Sequence, residues 1–275
     1  MSSNLQSNGY GAINGARRGG SFSGDEEQPL LGEAQSTKPG WRKSMMADVR
    51  RDWADLILLI CYIVTGLLDS ASISTWGSFV SMQTGNTVYF GLGLAAPRES
   101  TRWIKSGTSL GFFCIGSVFF SFFHRHFSPR RRWVICASFV IQTTLIVVAA
   151  SILTFGPKTA DPKESIGWPE LVPIALIAFQ SCGQAVISRA LKFNALTSVV
   201  LTSIYCDLFS DANLLAANNA ERNRRVAAPV LLLIGAIIGG TLAHSWVGCA
   251  GALWVAATLK LVIVIAWFFW PTESE

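Results

Sequence analysis

Three charged residues fall where an apolar chain would be expected to carry none. Asp69 lies well inside a long apolar region, Asp207 lies in a second such region, and Lys260 sits near the middle of the run 249–270 as its one charge. A carboxylate or ammonium at bilayer depth costs roughly 2.5–3.5 kcal/mol on insertion scales unless it is paired, protonated or hydrated. Such groups hold a proton, a cation or a substrate, or they pair and fix helix packing. Opposite signs at similar depth predict an Asp69–Lys260 pair, with Asp207 as a second candidate partner. A polar string, Gln83-Thr84-Gly85-Asn86, interrupts the first region. Glycine lets the backbone unwind there, and Thr and Asn supply short hydrogen-bonding side chains. Unwound peptide groups at membrane depth must line a cavity or be buried in protein, and they are natural ion ligands. Gln184, Thr197 and Thr202 would complete such a site from the second region. The competing reading is a plain helix contact in which small residues permit close approach.

The elements that must position these residues follow from composition. Of 275 residues, 51% are hydrophobic and only 14% charged, and the mean hydropathy is +0.41. A soluble domain carries about 25% charged residues, so this is the composition of an all-α polytopic membrane protein. The net charge of +5 suits loops facing anionic lipid, and nucleic-acid binding is not needed to explain it. Runs 107–123, 133–156, 226–246 and 249–270 each suit a spanning helix of about 20 apolar residues. Tryptophans 53, 103, 133, 168, 246, 267 and 270 fall near the proposed ends, at headgroup level. Regions 53–96 and 170–217 are too long for one straight helix, so each holds two crossings or one crossing plus a broken or re-entrant piece. Basic clusters at Arg42-Lys43 with Arg50-Arg51, at Arg125 with Arg130-Arg131-Arg132, and at Arg222 with Arg224-Arg225 mark cytoplasmic loops. One crossing per long region puts all three on one side and both ends in the cytosol, which gives six spans. Loop 97–106, with Arg98, Arg102 and Lys105 against Glu99, then lies outside, against the rule.

The two long regions look alike. Gly66-Leu67-Leu68-Asp69-Ser70-Ala71 precedes Gln83-Thr84-Gly85-Asn86-Thr87, and Gly183-Gln184-Ala185 precedes Leu201-Thr202-Ser203 and Asp207. Each is followed by two clean spans. An odd number of crossings per half gives inverted three-helix repeats, 53–156 and 170–270, a recurring build of secondary transporters. On the Gly66–Ala71 and Met82–Val88 segments, with Gly183-Gln184-Ala185, Arg189 and Thr197 to Thr202, the chain resembles the YoaK-like family of multi-pass membrane proteins over roughly residues 54–270. The second copy departs from that pattern, with Thr202-Ser203 where the family shows Thr-Gly. The resemblance implies a multi-pass helical fold and carries no established activity.

Residues 1–52 are rich in Ser, Gly, Asn and charge and read as a disordered cytoplasmic tail, and 271–275 as a short C-terminal tail. The first tail holds a tyrosine pattern, Tyr10 to Ile13, and an acidic dileucine pattern, Glu26 with Leu30 and Leu31, which fits a sorting adaptor and delivery to a vacuole- or lysosome-like membrane, with the plasma membrane as the alternative. Gly107/Gly111 and Gly235/Gly239 have the spacing of close helix packing. His124 and His126 lie in a basic loop and are expected to be solvated. The six cysteines sit in or beside apolar runs as packing residues, so neither disulfides nor zinc are predicted. No hydrolase, kinase or dinucleotide signature stands in a fitting context, so neither an enzyme nor a cofactor is expected. The leading expectation is a secondary transporter or permease for a small solute, coupled to a proton or cation through Asp69. The alternative is a non-transporting membrane scaffold or trafficking factor.

Overall fold

The computed structural model describes residues 40–157, 166–216 and 218–273, so the tyrosine and dileucine patterns and most of the loop between 157 and 170 lie outside the described residues. The chain is helical: α1 (Trp41–Met46), α2 (Ala54–Trp76), α3 (Gln83–Ala95), α4 (Arg102–Phe127), α5 (Arg132–Phe155), α6 (Trp168–Ala190), α7 (Thr202–Phe209), α8 (Ala220–Ala243) and α9 (Gly248–Phe268). Six of these, α2, α4, α5, α6, α8 and α9, are long and apolar enough to cross a bilayer. The short α3 and α7 stand in the two regions too long for one span, so each region is one crossing plus a broken piece.

Burial sorts the six spans. The most apolar windows of α2 and α6 are 72% and 78% buried, against 22% for α4 and α8, so α2 and α6 form the centre and the others surround them. A helix apolar on every side suits a buried core position, which is what the Ala54–Trp76 sequence supplies. The uncovered faces of α4, α8 and α9 carry Val118, Phe122, Leu233, Ile237 and Leu261. Water would not tolerate so continuous an apolar rim, and lipid tails do. The chain is an integral multi-pass membrane protein by this architecture.

Close backbone approach holds the centre to the rim. A Cβ on Gly66 would lie 2.0 Å from the Leu232 carbonyl oxygen, one on Gly235 2.1 Å from that of Ile63, and one on Gly239 2.2 Å from that of Leu67. The Gly235/Gly239 pair therefore seats α8 on α2. Gly116 does the same for α4 on α6, where a Cβ would lie 2.5 Å from the Phe179 carbonyl. Gly107 makes room for Phe90 of α3, but Gly111 has nothing within 4 Å, so the expected Gly107/Gly111 contact is only half made.

One end of the bundle gathers the arginines. Val49 and Arg132 donate backbone N–H groups to Arg130 and Ala47, and Arg50 donates to Pro271. Arg130 pairs with Asp48 and Glu273, both at 3.1 Å, and Arg132 reaches Ser44 at 2.5 Å and the Trp270 carbonyl. Residues 40–52 thus carry α1 and an extended strap tied to the α4–α5 turn and the C-terminal segment, where the sequence reading expected disordered tail. Arg224 at the start of α8 pairs with Asp55 at the start of α2 at 2.7 Å. Trp267 is not a headgroup anchor, because it is fully buried against Trp270.

Candidate functional site

The first helix break lies before the polar string, not in it. α2 ends at Gly77, whose φ of 75° is the left-handed geometry that stops a helix at little cost for glycine. Residues 78–82 are irregular, and Gln83-Thr84-Gly85-Asn86 already forms the first turn of α3. The expected unwinding at Thr84 to Asn86 is therefore displaced by one turn toward the N-terminus. The string still serves the break. Asn86, fully buried, accepts from Phe79 N–H at 3.0 Å and donates to the Phe79 carbonyl at 2.7 Å, so one side chain brackets a whole unwound residue. Gln83 donates to the Val80 carbonyl at 3.2 Å, and Ser109 on α4 takes hydrogen bonds from both Gln83 and Asn86. Gly85 gives room to the Phe79 ring, since a Cβ there would lie 2.9 Å from it. Thr84 points out and is exposed.

Asp69 completes the accounting. It is 3% exposed, and its Oδ1 accepts from Val80 N–H at 2.8 Å and Ser81 N–H at 2.9 Å. Its Oδ2 accepts from the Ser81 hydroxyl. Peptide N–H groups left unpaired in a medium without water cost several kcal/mol, so a carboxylate beside a helix break is drawn to them first. That is why the expected Asp69–Lys260 pair does not form. Lys260, fully buried on α9, instead donates to Gln142 Oε1 on α5 at 2.5 Å and lies 5.0 Å from the centre of the Phe139 ring. Gln142 is seated against Gly183, where a Cβ would meet its amide at 2.7 Å. The sequence reading missed Gln142. Its signal was a lone glutamine in the uncharged run 133–156.

The second break, 191–201, has no carboxylate. Lys192 and Ser198 take left-handed φ angles of 64° and 61°. Ser188 holds the Phe193 carbonyl at 2.5 Å, and the Tyr62 hydroxyl on α2 reaches the Ala195 carbonyl at 3.4 Å. Gln184 donates at 3.0 Å both to Ser198 in the break and to Thr65 on α2. Thr197 is buried beside it, whereas Thr202 begins α7 and is exposed. Asp207 is also exposed, on α7, and lines a surface cavity with Asp211 and Arg225, so it partners neither Asp69 nor Lys260. Next to it, and outside the spans, the Asp211 carboxyl is held below its ordinary range by Asn213 N–H, then by the Asn219 amide and Arg225.

The two breaks meet through the central helices. Ser181 on α6 donates chiefly to the Ile177 carbonyl of its own helix at 2.7 Å and lies 3.3 Å from the Val80 carbonyl in the first break, and Gln184, one turn on, ties the second break to α2. Two buried acceptors on this face of α6, Gln180 Oε1 and Gln184 Oε1, have no partner. Chemically the seam offers one capped carboxylate and idle carbonyl oxygens suited to an O–H or N–H donor. No group of three His, Cys, Asp or Glu able to hold a metal occurs among the described residues.

The family model described as a protein of unknown function, DUF1275, matches residues 57–266. The chain belongs to the DUF1275 family. The matched span starts in α2 and ends in α9, so the DUF1275 unit comprises all six candidate spans and both breaks. Compared with curated proteins and with solved structures, the chain finds no match.

Proposed function

We propose that this DUF1275 protein is a secondary carrier for a small solute, built from inverted repeats 53–156 and 170–270, with a proton step at Asp69. The observation that carries this reading is the buried polar seam in which two helix breaks, one from each half, meet across α2 and α6. The order of elements supports the repeat. Each half runs long helix, short helix, long helix, long helix. Packing partners exchange accordingly: α8 lies on α2 as α4 lies on α6, and α7 on α8 as α3 on α4. Gln142 and Lys260 are 118 residues apart, and so are Thr84 and Thr202, which both lie in the first turns of the two short helices. Interrupted helices facing each other near mid-membrane are a recurring transporter site. The Gly66–Ala71 and Met82–Val88 segments resemble the YoaK-like family, and that resemblance adds no activity.

In this reading a proton on Asp69 removes the charge that Val80 and Ser81 N–H groups favour and turns one acceptor oxygen into a donor. Segment 78–82 loosens, and the seam opens from the α3 side. Gln180 and Gln184 offer their carbonyl oxygens to a solute carrying O–H or N–H groups. The Arg-rich end, with both described chain ends, faces the cytosol by the excess of positive charge. The acidic dileucine at Glu26, Leu30 and Leu31 directs the protein through a sorting adaptor to a vacuole- or lysosome-like membrane. Replacing Leu30 and Leu31 by alanine should reroute a tagged protein, and an unchanged location removes that claim.

The test is solute uptake into proteoliposomes under a pH gradient. Asp69→Asn should fold and lose gradient-driven uptake. Equal uptake by this variant and wild type across a broad panel defeats the coupling. One observation favours a rival, a non-transporting scaffold: every lone-pair direction used on Asp69 serves the break, as a static cap would. A cysteine at Ser198, with the six native cysteines replaced, separates the two, being labelled from one side and then the other as a carrier cycles, and from neither in a scaffold.

A further inference from the structure

At the Arg-rich end, α4 and α6 part around an open cavity of about 600 Å³ that none of the polar seam residues line. Ser121, His124 and Arg125 come from α4, and Val186 and Arg189 from α6. No acidic residue lines it. His124, expected to be solvated, is 2% exposed, and neither ring nitrogen has a hydrogen-bond partner. The Pro129 carbonyl lies near the ring. Arg125 uses only its Nε, on the Ser121 carbonyl at 3.2 Å, which leaves both terminal nitrogens for a ligand. The Arg189 guanidinium makes no hydrogen bond or ion pair among the described residues, and its backbone carbonyl closes the end of α6 by accepting from Lys192 N–H. Two unpaired guanidinium groups and a buried, idle imidazole around one cavity are a built recognition site for an oxyanion, since guanidinium forks match phosphate oxygens two at a time.

We propose that this cavity binds the phosphomonoester headgroup of an anionic lipid, with Arg125 and Arg189 on the phosphate oxygens and His124 contributing a ring nitrogen from the buried side. Geometry favours lipid over a soluble anion. Val118, which lines the cavity, is 70% exposed on the apolar rim of α4, so acyl chains have an apolar surface beside the headgroup position. Basic pockets between spans on the Arg-rich side are where anionic headgroups concentrate. Free phosphate would use the same donors without that apolar continuation.

Native mass spectrometry of the full chain in detergent tests this, using phosphatidic acid, phosphatidylcholine and inorganic phosphate as probes. Phosphatidic acid should bind in preference to phosphatidylcholine, and inorganic phosphate should compete only weakly. The Arg125→Gln/Arg189→Gln double variant should weaken phosphatidic acid binding by about tenfold or more, equivalent to about 1.4 kcal/mol. Arg189→Gln alone breaks no side-chain hydrogen bond or ion pair of the fold, so its loss of binding reports the site and not misfolding. Arg42→Gln, an exposed charge at the same end, should bind as wild type. Wild-type binding by the double variant, or equal binding of phosphatidylcholine, overturns the proposal. Inorganic phosphate binding as tightly as the lipid overturns the lipid assignment.

Discussion

Replacing Asp69 by alanine or by asparagine separates a cap from a charge pair. Alanine removes the acceptor for two backbone N–H groups and one hydroxyl, all buried. Each of these donors left buried and unpaired costs about 1–3 kcal/mol. After returning the carboxylate's own desolvation cost, Asp69→Ala should destabilise by roughly 3–6 kcal/mol, a large part of a total stability of about 5–15 kcal/mol. Asparagine keeps an oxygen for both N–H groups, and its amide can donate to the Ser81 hydroxyl, so its cost should be about 1–2 kcal/mol. The assay is thermal unfolding of purified protein in detergent together with hydrogen exchange. The Val80 and Ser81 amides should lose protection in the alanine variant and keep most of it in the asparagine variant. Combining Asp69→Asn with Lys260→Met should give effects that add to within about 0.5 kcal/mol, because the two groups share no partner. Equal destabilisation by alanine and asparagine, or strong coupling to Lys260, would refute the capping argument.

Two further outcomes follow from close contacts and charge. Gly235→Ala should cost about 1–3 kcal/mol in thermal unfolding, because its Cβ meets Ile63 backbone that cannot step aside, whereas Gly111→Ala, with open space, should be neutral or stabilising by about 0.5–1 kcal/mol. The depressed carboxyl of Asp211 means that its hold on Asn213 and Asn219 is fully present above the ordinary carboxylate value of about 3.9 and is lost only as pH falls through its lower folded value. Exchange of the Asn213 amide followed against pH should therefore stay protected at pH 4 and accelerate below it, and acceleration already above that pH would contradict the assignment.

The breaks show where reading residues in order reaches its limit. The string Gln83 to Asn86 announces an interruption, because polar side chains at that depth need partners. It does not say on which side of the string the helix opens, since Asn86 can bracket a peptide seven residues back only once the chain has turned. Asp69 and Lys260 were both legible as costly buried charges. Pairing them by sign failed because local N–H groups reached Asp69 first, and because Gln142, neutral and inconspicuous, took the ammonium. His124 looked solvated because its neighbours in sequence are basic, but a helix turns successive residues about 100° apart, and this one faces α6.

Composition and run length determined that this chain is a helical membrane protein, because lipid admits few other arrangements of so many apolar residues, and the placing of the basic clusters chose six spans. Which polar groups meet was decided only in three dimensions. Hydrogen bonds act over about 3 Å, and the residues that satisfy one another here, Lys260 with Gln142 or Gln184 with Thr65, stand 118 and 119 positions apart.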